Sequence, residues 1–429
     1  MKNKLLWLLI VAPVIVLGSM LAYPYDAQAI PAFARTHKVP CSTCHIGFPK
    51  LDHFGMEFDR LGFRMPGEKG KFLWEQPIPL AGRINLDYEY SSIEFNPQMP
   101  MMGMVDEKRS GLGLFDVQLL TGGTLAPMVS FFGQFVYKVN GLGPDATDAI
   151  DATDPSAITM ANTLESETRI EAFFVQLDDL LPDAMMNLRI GKDHVDNHFL
   201  CVPLRLTRAS RLIQFQTMLG ASLHPMALGA ELNGTIPFGR GMDYKLDYNL
   251  GVRNYGPAYD SKEDNEQRFG AFYAFVNQHI KKQIVSFMVT SDRRGDANEG
   301  TDDNTLGYGV SLDLHLGDLN IIPGYFWYHE GAKIRSGDKL DVTSGTVEMI
   351  YPILPTLLGT LRYDFNNWDI KNESLDRDAQ QYVISLAWYQ FPNVRWVMEY
   401  GRFNTTNLML MQDEPGLQML MPTTANTDL

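Results

Sequence analysis

The sequence predicts a mainly β fold: an antiparallel transmembrane β-barrel of ~14–16 strands, preceded by a small α-helical unit near the N-terminus. Three observations predict it. After Pro77-Ile78-Pro79 the apolar residues change from helical spacing to strict alternation. No segment after Ile30 is a continuous apolar run of membrane-helix length, so a chain embedded in a membrane must cross it with strands. The alternating segments are long, close to the ~9–11 residues that span a bilayer.

The first element is an export signal, residues 1–29. Lys2 and Lys4 supply a positive start, Leu5 to Ala22 is apolar and uncharged, and Ala27-Gln28-Ala29 is a small-residue cleavage site. An uncleaved membrane anchor is the competing reading of the apolar run, and the cleavage site weighs against it. Cleavage there starts the mature chain at Ile30.

The second element, residues 30–75, carries Pro40-Cys41-Ser42-Thr43-Cys44-His45. Two thiols three positions apart can reach both vinyl groups along one haem edge, and the next residue offers its imidazole to the iron. Other readings fit less well. A zinc site needs about four ligands, and no second cysteine pair exists. A thioredoxin-like pair belongs near a βαβ pattern, and a disulfide leaves His45 without a role. The chain has three cysteines, too few for a disulfide scaffold, and Cys201 is expected to be an unreactive half-buried thiol. One c-type haem is therefore expected, attached through Cys41 and Cys44, with His45 as proximal ligand. Met65 is the first candidate for the sixth ligand, then His53 and Met56, with His37 also near; an open five-coordinate iron is the alternative. Leu51 to Leu61 has the spacing of a short helix. The unit is too small to build its own core, so Phe33, Phe48, Leu51, Phe54, Phe58, Leu61 and Phe63 are expected to wrap the cofactor.

The third element, residues 76–429, is the barrel. Arg83, Asn85, Asp87 and Glu89 alternate with Ile84, Leu86, Tyr88 and Tyr90. Lys245, Asp247 and Asn249 alternate with Tyr244, Leu246, Tyr248 and Leu250, and Arg362, Asp364 and Asn366 with Leu361, Tyr363 and Phe365. A soluble sandwich could alternate too. Aromatics on the apolar face and charges along the whole polar face favour lipid outside and water inside. Gly141–Thr168, Asp260–Gln267 and Ser291–Asn304 read as long polar connections, whereas Gly317-Asp318 and Pro355-Thr356 read as tight turns. That asymmetry fits an outer-membrane topology. The last residues, Pro422 to Leu429, do not read as a closing strand. The net charge of −15 argues against a nucleic-acid partner.

The run Ile30 to Arg35, the haem motif, Phe48-Pro49-Lys50-Leu51, Phe54-Gly55, Phe58 and Gly62-Phe63 together resemble the fused monohaem cytochrome–porins of the outer membrane in iron-oxidising bacteria. Over the barrel the resemblance rests on Phe174-Val175-Gln176-Leu177 and Leu188-Arg189-Ile190-Gly191-Lys192. It implies a ferrous-iron-oxidising oxidoreductase of the outer membrane. Such a protein takes an electron from extracellular Fe²⁺ at its haem, held in the lumen or on the periplasmic side, and passes it to a periplasmic c-type cytochrome. Outward electron flow to an external acceptor is one alternative. A solute porin with a structural or sensory haem is another. Acidic loops could steer cations by their field. Arg205, Arg208 and Arg211 could pair with the haem propionates. No acid–base catalytic constellation is visible, and one-electron exchange needs none.

Overall fold

The computed structural model describes residues 32–77, 79–95, 107–140, 166–193, 206–207, 227–238, 244–253, 271–296, 301–334, 338–370, 377–391, 394–406 and 425–428. The signal segment 1–29, Cys201, Arg205, Arg208 and Arg211 lie outside them.

A compact N-terminal segment comes first. Helix α1 (Ala32–His37) leads into a 3-10 turn at Cys41–Thr43, then the strand pair β1 (His45–Gly47) and β2 (Lys50–Leu51), then helix α2 (His53–Arg60). The Asp52 carboxylate caps α2 by accepting from the Gly55 N–H at 2.8 Å. The helix stops because Gly62 takes φ +65°. There the Gly62 N–H donates to Asp59 O and the Phe63 N–H to Phe58 O, each at 3.0 Å, closing the last turn. The helix expected over Leu51 to Leu61 is thus present with slightly tighter bounds.

The rest is a β-barrel. Its strands are β3 (Leu80–Phe95), β4 (Glu107–Ala126), β5 (Val129–Asn140), β6 (Ser166–Leu181), β7 (Met186–Asp193), β8 (Ala227–Pro237), β9 (Tyr244–Arg253), β10 (Ala271–Ile280), β11 (Gln283–Asp296), β12 (Thr301–Leu316), β13 (Leu319–Ile334), β14 (Asp338–Leu354), β15 (Leu357–Ile370), β16 (Arg377–Phe391), β17 (Val394–Thr406) and β18 (Ala425–Asp428). Each pairs antiparallel with its neighbours in sequence, and β18 pairs with β3 to close the ring. The described strands of the barrel therefore number sixteen, within the expected range.

Two expectations need correction. Ala425–Asp428 does form a strand, against the reading of the chain end as strandless. Its backbone pairs in register, Ala425 opposite Phe95 and Asp428 opposite Arg402, and a backbone ladder asks for no apolar alternation. Ser291–Asn304 is mostly strand as well: residues 291–296 and 301–304 pair in register, Asp292 with Thr305 and Asp296 with Thr301. Such a ladder asks for no apolar residue, so a polar run can pair as strand.

Facing is as the alternation requires. Ile84, Leu86 and Tyr88 are 68%, 69% and 70% exposed on the outer surface, a face that only lipid would cover. Inward positions are polar over much of the wall: Gln176, Asp178, Asn187, Glu231, Asn249 and Asp364 are all buried. The interior is nevertheless not uniformly wet. Tyr273, Phe275, Met288, Ile322, Phe326, Val342 and Trp368 also point inward and form one apolar cluster, on which Leu206 is fully buried. Residues 206–207 therefore lie inside the barrel, where Arg395 donates to Leu206 O and Arg362 to Thr207 Oγ1.

Candidate functional site

The N-terminal segment sits inside the barrel as a plug, at the end where the connections are short. Those connections include Pro127-Met128, Pro182–Met185, Lys281-Lys282, Gly317-Asp318 and Pro355-Thr356. The wall partners of the plug cluster beside them. His53 Nε2 donates to Lys282 O at 2.9 Å. The Lys71 N–H donates to Thr124 Oγ1 at 3.1 Å. Tyr389 Oη donates to Phe48 O at 2.8 Å.

The last residue of α2 is the main anchor. Arg60 Nη2 donates to Asn249 Oδ1 at 2.9 Å, and Arg60 Nε lies 3.5 Å from Asp247 Oδ2. In return, Gln176 and Asn187 of the wall donate to Arg60 O at 3.2 and 3.0 Å. The carbonyl end of the helix is thus satisfied by barrel side chains rather than by water. Lys245 pairs with Glu57 at 3.2 Å, and Arg64 with Asp179 at 2.7 Å. Alternating polar strands alone cannot reveal such contacts, because their partners stand more than a hundred positions apart.

The haem-motif residues lie on the turn and hairpin that precede α2. Cys41 opens the 3-10 turn, Cys44 closes it, and His45 starts β1. No disulfide involves Cys41 or Cys44. Burial pushes the Cys44 thiol up to about 11, with Asp52 and Cys41 adding to it, and burial raises Cys41 as well. Neither is therefore placed as a reactive thiolate. His45 Nδ1 lies 3.2 Å from Pro49 O, a carbonyl that can only accept. The proton is thereby held on Nδ1, and the Nε2 lone pair is left for a metal. Burial also holds the His45 imidazole below its ordinary value, against backbone bonds to Pro49 and Lys50, so it stays neutral.

This arrangement fits a c-type haem in its donor set. A second observation agrees. Phe48, three residues beyond His45, meets two guanidiniums: Arg395 Nη1 donates to its carbonyl at 3.2 Å, and the Arg83 Cζ stands 5.9 Å from its ring. The Nε of Arg83 and the Nε of Arg395 are both buried without a hydrogen-bond partner among the described residues. Two buried donors of this kind suit carboxylates.

The candidates for a sixth ligand separate. Met65 packs on the cluster of Phe58, Phe63 and Phe174, as do Phe33, Phe54 and Phe132. His37 lies edge-on to Phe58 at 5.2 Å, and its Nδ1 is 3.6 Å from Glu68 Oε2. His53 points away into the wall, with both ring nitrogens engaged there. Met56 lies within α2, half-buried. The expected phenylalanine wrap divides in two: Phe33, Phe54, Phe58 and Phe63 join one cluster with Phe174, against which Met65 packs, whereas Phe48 turns to the wall at Tyr389 and Arg395.

No family model matches the chain, and no curated protein matches it. Among solved structures it is similar to the anion-selective porin from Comamonas acidovorans, at 10% identity and TM-score 0.51, over 81% of this chain and 98% of that one. It is also similar to Salmonella typhi OmpF, solved in complex with daunomycin, at 9% identity and TM-score 0.50, over 80% of this chain and 95% of that one. At these identities the likeness is one of fold: a porin-type outer-membrane β-barrel.

Proposed function

We propose that this protein is an outer-membrane electron-transfer protein that oxidises extracellular ferrous iron at a single c-type haem held in its plug. The observation that carries the reading is the pairing of Cys41, Cys44 and His45, its Nε2 left open, with a plug seated inside the short-turn end of a membrane barrel. Cys41 and Cys44 would attach the haem, His45 would ligate its iron, and Arg83 and Arg395 would take the propionates. Bound there, the haem would supply one-electron exchange. The chain's own residues do the rest: the wall contacts of Arg60, Asp59 and Arg64 fix the plug, and the Phe58, Phe63 and Phe174 cluster packs against Met65. Met65, or His37 against the edge of Phe58, would complete the coordination. Ferrous iron would enter from the long-loop end, and a periplasmic cytochrome would accept the electron at the short-turn end. The sequence resemblance to cytochrome–porins supports the choice of iron.

The test is anaerobic mixing of the purified full-length protein with Fe²⁺ at neutral pH, followed in the visible spectrum. Reduction of the haem is expected, and Cys41→Ser with Cys44→Ser should remove the covalent haem signal. A haem that dithionite reduces and Fe²⁺ does not would sink the iron reading.

The porin fold favours one second reading, a solute channel with a haem-bearing plug. Ohmic conductance by the wild-type barrel in planar bilayers, with Fe²⁺ inert, would favour it. The buried contacts of the plug with the wall speak for a closed mouth.

A further inference from the structure

Three histidines meet where the plug touches the wall: His53 at the start of α2, His279 on β10 and His315 on β12. The rings of His53 and His279 are 5.3 Å apart between centroids, and those of His53 and His315 are 5.6 Å apart. Each ring has one nitrogen committed outward. His53 Nε2 is 2.9 Å from Lys282 O, His279 Nε2 is 2.6 Å from Asp247 Oδ2, and His315 Nε2 is 3.1 Å from Asp313 Oδ1.

These commitments fix protons. A carbonyl and a carboxylate only accept, so His53 and His279 both carry hydrogen on Nε2. Asp247 is held as a carboxylate by Arg60, and Thr235 Oγ1 donates to its other oxygen at 2.7 Å. With hydrogen on both Nε2 atoms, the two Nδ1 atoms face each other at 3.2 Å, a spacing that needs a proton or a metal cation between them. A metal cation there makes the pair a site. Two imidazole nitrogens on one tetrahedral metal at ~2.0–2.1 Å stand about 3.4 Å apart, close to the spacing seen. Hydrogen bonds from the far ring nitrogen to a carboxylate and a carbonyl are the usual support of ligating histidines.

We infer that His53 and His279 form a binding site for a divalent first-row transition-metal ion, which staples the plug to the barrel wall. Imidazole donors select zinc, copper, nickel or ferrous iron over magnesium or calcium. Among the described residues no three such side chains already converge on one point. The site is therefore a two-histidine one completed by water. It is distinct from the haem site and holds whether or not the haem reading stands.

Equilibrium dialysis of the full-length protein in detergent against Zn²⁺, with the metal counted by mass spectrometry, tests this. Zinc is not haem iron, so the two counts do not interfere. One zinc per chain is expected, with affinity lowered ~10–100-fold by His53→Ala and by His279→Ala, unchanged by His329→Ala, and with no matching retention of Mg²⁺. Zinc should also slow proteolysis of the plug in the wild type and not in His53→Ala. Equal zinc retention by wild type and His53→Ala would overturn the site, as would a loss shared with His329→Ala. His53 lies on the plug, so its variant leaves barrel closure intact and carries the test even where His279→Ala fails to fold. A wild type that retains no zinc at all would leave the pair sharing a proton and would end the proposal.

Discussion

Arg189 reaches from the barrel wall to the plug, donating from Nη2 to Asp59 Oδ2 at 3.0 Å while Nη1 holds Asp193 of its own strand at 2.8 Å. Its guanidinium also stacks on Phe174, 4.0 Å from the ring centroid. Arg189 is 2% exposed, so its loss removes a buried cation from between the Asp59 and Asp193 carboxylates. Arg189→Met should weaken plug docking, by less than the ~3–5 kcal/mol of a fully buried pair because Asp59 is partly exposed. Single-channel recording in planar bilayers reads this as a conductance rise over the wild type. Adding Asp59→Leu should restore part of the closure, because the plug then presents no carboxylate to the altered wall. An unchanged conductance in the single variant would mean the mouth is closed by other contacts.

Gly62 ends α2 at φ +65°, and a Cβ there would run into Ser130 and the Asp178 carboxylate. Gly67 has φ +80° and nothing within 4 Å of the same position. Both substitutions to alanine bear the ~1–2 kcal/mol of left-handed backbone strain. Only Gly62→Ala adds the collision with the wall. Protease protection of the plug should fall well below that of Gly67→Ala. Equal protection in the two variants would show that the wall yields at Ser130 and Asp178.

The barrel was legible where one face of a strand is apolar and the other polar. Ile84 and Asn85 lie on opposite faces because side chains alternate along a strand, and no distant information is needed to see it. The haem motif was legible for a similar reason, since Cys41, Cys44 and His45 act at fixed local spacing. What the sequence hid is long-range or backbone-borne. His53 read as a spare ligand, yet it meets His279, 226 positions away, across the seam of plug and wall. Ala425–Asp428 carries no alternation, because it closes the ring through main-chain pairing. The inward cluster around Phe275 and Phe326 was hidden too. Aromatic residues occur on both faces of those strands, so Tyr325 and Phe326 differ only in facing.

That facing can be tested directly. Ile84 is 68% exposed on the outer surface, and its neighbour Asn85 donates inward to Asp116 Oδ1 at 2.8 Å. An arginine toward lipid costs ~2–4 kcal/mol near the bilayer midplane. Ile84→Arg should therefore lower the yield of folded barrel in vesicles, judged by heat-dependent migration on gels. Asn85→Arg, facing Asp116 and water, should fold close to the wild-type level. The reverse order would place the β3 alternation in the wrong register.

Arg83 and Arg395 provide the last test, which rests on the proposed haem. Both stand against Phe48, each with a buried Nε lacking a partner among the described residues. A cation near a haem favours the reduced form, which carries one positive charge fewer. Arg83→Leu and Arg395→Leu should each lower the reduction potential while leaving covalent attachment through Cys41 and Cys44 intact. Spectroelectrochemical titration measures the first, and haem staining of denatured protein the second. The two shifts should not simply add, since both residues answer to one ring. Conservative Arg395→Lys should retain most of the potential, because it keeps the charge that the leucine removes. A potential unmoved by both leucine variants, with haem still attached, would put the propionates elsewhere in the barrel.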